Sequence, residues 1–140
     1  MNQTLTFIGK VHSGLKSLED CPLQEKENAP EATIETFAEF KEGIKDIESG
    51  SKLILFTWLH RADRRVLNTR PRNNPHAPIT GVFSTRSPDR PNPVGIHFVN
   101  VVSVLQDNKF VVAGLEVLDQ TPVIDIKPDL SRQVECRILF

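Results

Sequence analysis

Residues Arg86 to Gly95, RSPDRPNPVG, hold three prolines, two arginines and an asparagine between stretches that read as strand. Proline fixes φ and removes a backbone donor, so Pro88, Pro91 and Pro93 rule out a central strand and bias the residues before them toward extended geometry. A stiff, extended loop is expected. A connector that keeps two strands from running on would account for the prolines. It would not account for Arg86, Arg90 and Asn92, whereas donors fixed in advance suit a ligand site.

A second polar cluster is LDQTPVIDIKPDL, Leu118 to Leu130, where Asp119, Thr121, Asp125 and Lys127 alternate with apolar residues, and Pro122 and Pro128 limit the strand at each end. Period two places Asp119, Thr121, Val123 and Asp125 on one face of an extended chain. A barrel strand of this kind lines a site if that face turns inward, and is an ordinary solvated face if it turns outward.

The third feature is charge. The chain carries a net charge of −1, yet from Ser17 to Glu48 there are ten acids and three bases, while from His60 to Arg90 there are seven arginines against Asp63 and Asp89. Arginine makes bidentate contacts with phosphate and stacks on bases. Arg64, Arg65, Arg70 and Arg72 are therefore expected to grip nucleic-acid phosphates, unless they pair with the acidic segment instead.

Several chemistries have no support. There is no GxGxxG after a strand, no phosphate-binding GxxxxGK[ST] and no GxSxG nucleophile turn. His12, His60, His76 and His97 show no metal-ligand spacing, so no metal is expected. Cys21 and Cys136 stand far apart and read as structural thiols.

These residues need a scaffold. With 140 residues, 39% hydrophobic and 25% charged, the chain reads as one domain over 1–140. No signal peptide or membrane span is evident, which suggests a cytoplasmic protein. Runs rich in Val, Ile, Phe and Thr predict strands over 4–11, 52–59, 79–84, 94–105, 109–118, 122–126 and 134–140, with a turn at Gln106-Asp107-Asn108. Such spacing predicts a mainly β barrel or sandwich. Phe40, Ile44 and Ile47 recur at helical spacing and predict one short amphipathic helix, while His60 to Pro78 predicts a long exposed loop.

Three segments together, LFTWLHR (55–61), GVFSTRSPDRPNPVG (81–95) and LDQTPVIDIKP (118–128), resemble the TrmO (YaeB-like, TsaA-like) family of S-adenosylmethionine-dependent tRNA methyltransferases. The resemblance runs from about Phe7 to Leu130. It implies a small closed or nearly closed β-barrel with a short helix and a long loop, a homodimer, and S-adenosyl-L-methionine bound near the subunit interface. The implied reaction methylates N6 of threonylcarbamoyladenosine at position 37 of a tRNA. Longer members carry a further C-terminal domain, which is not expected here.

Carried onto this chain, the cofactor contacts fall on Pro22, Leu23, Gln24, His60, Arg61, Arg86, Ile96, Leu118, Asp119, Gln120 and Thr121. Arg64, Arg65, Arg70, Arg72, Arg90, Asn92 and Lys127 are the expected tRNA contacts, and Asp119, Asp125 and His60 are the candidate proton acceptors. Three positions depart from the family pattern: Leu23 replaces Arg, Gln120 replaces Gly and Asp129 replaces Tyr. Gln120 implies that its turn needs no positive φ. Two other readings remain open at this point: an S-adenosylmethionine-binding protein without transferase activity, and a non-catalytic nucleic-acid-binding barrel.

Overall fold

Period-two alternation builds the wall of the molecule. In the computed structural model, which describes residues 3–16, 31–70 and 74–130, eight strands form. They are β1 (Gly9–His12), β2 (Ala32–Thr36), β3 (Lys52–Trp58), β4 (Asn68–Thr69), β5 (Thr80–Gly81), β6 (Val94–Val104), β7 (Lys109–Ala113) and β8 (Pro122–Pro128). Six of them close into a barrel in the order β1-β2-β7-β6-β3-β8, and β4 pairs with β5 in a separate hairpin. The mainly β, closed-barrel architecture expected from the sequence is the one that forms.

The inward positions are apolar. Val11, Ala32 and Ile34 meet Leu53, Leu55, Val99, Val101, Phe110, Val112 and Val123 in one core. Burying each large aliphatic or aromatic side chain contributes about 1.5–3 kcal/mol, so these alternating positions hold the barrel closed.

Several boundaries differ from the sequence expectation. The run over 109–118 ends as strand at Ala113, because Gly114 takes φ +92 and turns the chain, although Leu115 and Val117 stay buried. The run over 79–84 divides into the two residues of β5 and a 3₁₀ turn at Val82–Ser84. Strand β2, ATIET, was not expected; its alternation is clear but lasts only five residues beside an acidic stretch. The predicted amphipathic helix is a 3₁₀ helix, Ala38–Ile44, with Ile44 and Ile47 packed on the core. Gly43 in its last turn disfavours continuing as an α-helix. The expected strand over 134–140 lies outside the described residues, as do Cys21, Cys136, Pro22, Leu23, Gln24 and Arg72.

One irregularity rearranges the expected polar face. Along β8, Asp125 stands opposite Phe56 but Val123 stands opposite Thr57, so Ile124 is an extra residue in a bulge. The bulge reverses the alternation. Val123 and Ile126 pack inward, whereas Asp125 turns to the outer surface beside Lys127, 3.6 Å away.

Strands β1 and β3 both run antiparallel to β8, which lies between them. Consequently the ends of β1 and β3 and the start of β8 meet at one rim of the barrel.

Candidate active site

Three loops converge at that rim: Ser13–Lys16 after β1, His60–Arg61 after β3, and Leu118–Thr121 before β8. They enclose a pocket of about 290 Å³ lined by Lys16, His60, Arg61, Leu118, Asp119 and Gln120. A larger hollow of about 770 Å³ lies at the opposite rim, walled by Ile8, Phe40, Ile44 and Ile47, with Asp125 and Lys127 on its edge. Five of the six residues lining the smaller pocket were singled out from the sequence as cofactor contacts. That convergence, and the electrostatics below, mark it as the candidate site.

A turn builds its floor. The Thr121 amide and Oγ1 both donate to the Leu118 carbonyl, at 3.2 and 2.7 Å, and the Gln120 amide donates to Val11 O at 2.7 Å. Closing so tightly requires Gln120 to take φ +69. The expectation that glutamine dispenses with a positive φ is therefore wrong: the turn has the left-handed geometry that glycine would supply, and glutamine adopts it at a cost of about 1–2 kcal/mol.

The turn aims Asp119 into the pocket. Its Oδ2 lies 2.9 Å from Lys16 Nζ, and its Oδ1 accepts the Ser13 amide at 2.9 Å. The Lys16 ammonium first, and the Ser13 amide second, lower its carboxyl to about 2. Asp119 is thus a fixed negative charge and a weak proton acceptor. His60 is the opposite case. The residue is exposed, but partial desolvation of its ring first, and repulsion from Arg61 second, lower its pKa below the ordinary value and favour the neutral imidazole at neutral pH.

A short chain of polar groups supports Gln120 from behind. Glu35 Oε1 lies 2.6 Å from His12 Nε2, and its carboxyl is lowered chiefly by that hydrogen bond, so it accepts and Nε2 donates. On the other side of the ring, His12 Nδ1 lies 3.4 Å from the Gln120 carboxamide nitrogen.

Other expected site residues are placed elsewhere in the single chain. Ile96 lies on the outer face of β6 opposite Phe56, and Arg86 is exposed in the loop beyond the 3₁₀ turn; neither lines the pocket. Arg90 is braced within its own loop, donating to the carbonyls of Ser87, Val82 and Thr85. Arg64 donates to Pro91 O at 2.7 Å and Asn92 Oδ1 at 3.2 Å, and lies over the Trp58 ring at 5.1 Å. Arg65 pairs with Asp63, whose amide is in turn held by Asp89 Oδ1. The proline loop and the arginine loop thus support each other, and neither pairs with the acidic segment among the described residues.

Sequence reasoning missed Lys16, Ser13 and the Glu35–His12 pair. Nothing in local spacing signals them, since Ser13 and Asp119 are 106 positions apart and meet only because β1 and β8 are neighbours. Among the described residues no group of three or more His, Cys, Asp or Glu is arranged for a metal, and no helix is long and apolar enough to cross a membrane.

Comparison with known proteins bears on the family and on the barrel itself. The family model described as the tRNA-methyltransferase O N-terminal domain matches residues 10–133. The chain belongs to the TrmO family. A probable S-adenosyl-L-methionine-binding protein, VirR, from Rhizobium radiobacter is 40% identical over 128 residues, covering 91% of this chain and 71% of that protein. An S-adenosyl-L-methionine-binding protein of Archaeoglobus fulgidus is 36% identical over 129 residues, covering 92% and 90%. A crystal structure of TrmO superposes with a TM-score of 0.73 at 26% identity, covering 99% of this chain, and TrmO from Pseudomonas aeruginosa with 0.70 at 25%, covering 96%. The chain spans 64% and 58% of those two solved TrmO chains.

Proposed function

We propose that this TrmO-family barrel binds S-adenosyl-L-methionine at the 118–121 rim and transfers its methyl group to a tRNA base. The observation that carries the reading is the pairing of a permanently ionised carboxylate, Asp119, with a neutral imidazole, His60, in one pocket. The donor set suits the cofactor. Asp119 attracts its cationic groups, Lys16 and Arg61 suit its carboxylate, and Leu118 gives an apolar wall. Its sulfonium supplies an already activated methyl, so the protein's task is positioning and exclusion of water.

His60 is assigned the proton lost by the nitrogen nucleophile, because its ring is neutral where Asp119 is held ionised and Asp125 lies on the outer surface. At about 290 Å³ the pocket lies at the lower edge of the roughly 300–1,000 Å³ of ligand sites. A second chain would enlarge the enclosure, and a homodimer would bring Arg86 and Ile96 of one subunit toward the other's pocket. The finer reading is methylation of N6 in threonylcarbamoyladenosine at position 37, in the cytoplasm.

The test is mass spectrometry of tRNA nucleosides after incubation with S-adenosylmethionine, alongside calorimetry of cofactor binding. A new methylated nucleoside with release of S-adenosylhomocysteine supports the enzyme. Tight cofactor binding with no methyl transfer to bulk tRNA would favour a cofactor-binding protein instead, a second reading consistent with how the relatives above are described.

A further inference from the structure

The hollow of about 770 Å³ at the rim opposite the candidate site takes no part in the reading above. Its floor is apolar, formed by Ile8, Phe40, Ile44, Ile47, Leu53 and Ile126. Ile8, Ile44, Ile47 and Ile126 pack on the barrel core but are only half-buried, so apolar surface stays uncovered. Its rim is acidic. Glu39, Glu42, Asp46, Asp125 and Asp129 stand around it, against Lys52 and Lys127.

Two further observations point to an occupant. Thr36 lines the hollow and is only 2% exposed, yet among the described residues its Oγ1 has no hydrogen-bond partner. A buried hydroxyl left unpaired is costly, so a partner is expected to reach it. Beside it, β8 has an open edge. It pairs with β3 from Val123 to Pro128, but with β1 only at Pro122 and Val123. The Ile126 amide donates to Asp125 Oδ1 at 2.9 Å rather than to a strand. An open strand edge beside apolar surface is a template for one more extended segment.

The chain itself carries a segment of matching chemistry. Leu130, the last described residue before it, lies on the wall of the hollow. The next ten residues are SRQVECRILF. In an extended chain Val134, Cys136, Ile138 and Phe140 would share one face, and Arg132 and Arg137 outnumber Glu135. Ten extended residues reach at most about 33–36 Å, enough to turn after Leu130 and run back across one end of a small barrel.

We infer that residues 131–140 fold back over this hollow, with their apolar face on its floor and their two arginines toward its acids. They seal the end of the barrel opposite the cofactor pocket, and the inference stands independently of methyl transfer. A second copy fits the hollow less well. Two-fold pairing through it would set five acids against their own images, and no residue of β6 lines it.

The experiment compares methyl NMR spectra of the full chain, a chain ending at Leu130, and the full-chain variant Ile138→Asp. Truncation should move the methyl resonances of Ile8, Ile44, Ile47 and Ile126 while leaving Leu118, at the far rim, in place. A synthetic peptide of residues 131–140 should return them toward their full-chain positions at one equivalent, less effectively at high salt. Ile138→Asp should reproduce the truncated positions and lower the thermal midpoint by about 3 °C or more, which keeps the test valid if the truncated chain does not fold. Arg132→Glu with Arg137→Glu should move the same resonances, and adding Glu39→Lys with Asp46→Lys should restore them in part. S-adenosylmethionine affinity is expected to stay unchanged in Ile138→Asp. Identical isoleucine resonances in the full chain and Ile138→Asp would overturn the inference. A drop in molecular mass for Ile138→Asp by light scattering would also overturn it, assigning the hollow to a second copy.

Discussion

Asp119 Oδ2 lies 2.9 Å from Lys16 Nζ, and that contact does most to hold the carboxyl at about 2. A carboxylate lowered on folding contributes stability above its ordinary range near pH 4 and loses it as pH falls toward the folded value. Asp119→Asn should therefore melt about 3 °C below the wild type at pH 6, with the gap closing between pH 4 and pH 2. Melting curves across that range check it, and a gap that stays constant would show that the contact contributes no charge-dependent stability.

Gly95 leaves the space that the Thr57–His97 hydrogen bond occupies. Thr57 Oγ1 and His97 Nε2 lie 2.8 Å apart inside the barrel, and a Cβ on Gly95 would collide with both. Gly95→Ala is expected to destabilise the fold by about 1–3 kcal/mol, the usual cost of overpacking. Urea unfolding measures this directly; an unchanged midpoint would mean the strand moves aside freely. The glycine that closes RPNPVG thus has a packing reason.

At position 120 two demands compete, a left-handed backbone and a side chain that reaches His12. Gln120→Gly relieves the first and forfeits the second, so its thermal midpoint should stay within about 3 °C of the wild type. Gln120→Val satisfies neither, and a β-branched residue at φ +69 should cost about 2 kcal/mol or more. If the valine variant is as stable as the glycine one, the turn is not held in the left-handed form in solution.

The sequence exposed its long-range logic unevenly. Alternation in KLILFTW and VGIHFVNVVSV marks β3 and β6 because each is long enough for the pattern to stand out, whereas ATIET is too brief. The bulge at Ile124, which removes Asp125 from the inner face, follows from how β8 pairs with β3 and leaves no trace in composition. His60, Arg61, Asp119 and Gln120 were legible through the family resemblance. Lys16 and Ser13 were not, because only barrel closure sets them beside Asp119. Arginine content was read correctly as a local excess, but which guanidinium groups are free depends on loop carbonyls that residue types do not disclose.

The outer face of β6 is the best place to test for the proposed homodimer. Val94, Ile96, Phe98, Val102 and Val104 are all 36% exposed or more along one strand, and Phe98 stands opposite Ile54 on β3. This apolar stripe, interrupted by the exposed Asn100, marks an interaction surface. Phe98→Asp should halve the mass found by light scattering and weaken S-adenosylmethionine binding at least tenfold if the second chain completes the pocket. A wild-type chain that is already a monomer at working concentrations would overturn the dimer.

Arg90 and Arg86 lie four positions apart in one proline-rich loop, yet mutating them should give opposite signatures. Arg90 donates to three carbonyls that hold the 3₁₀ turn, so Arg90→Ala leaves those acceptors without their partner and should cost about 2 kcal/mol or more of stability. Arg90→Lys should recover little of it, since one ammonium cannot reproduce a planar fork. Arg86 has no such partner among the described residues, so Arg86→Ala should leave stability within about 0.5 kcal/mol of the wild type and act on ligand or RNA affinity instead. Urea unfolding of the three variants, alongside wild type, separates the roles. A stable Arg90→Ala with lost RNA binding would return Arg90 to the substrate surface where its sequence first suggested it belonged.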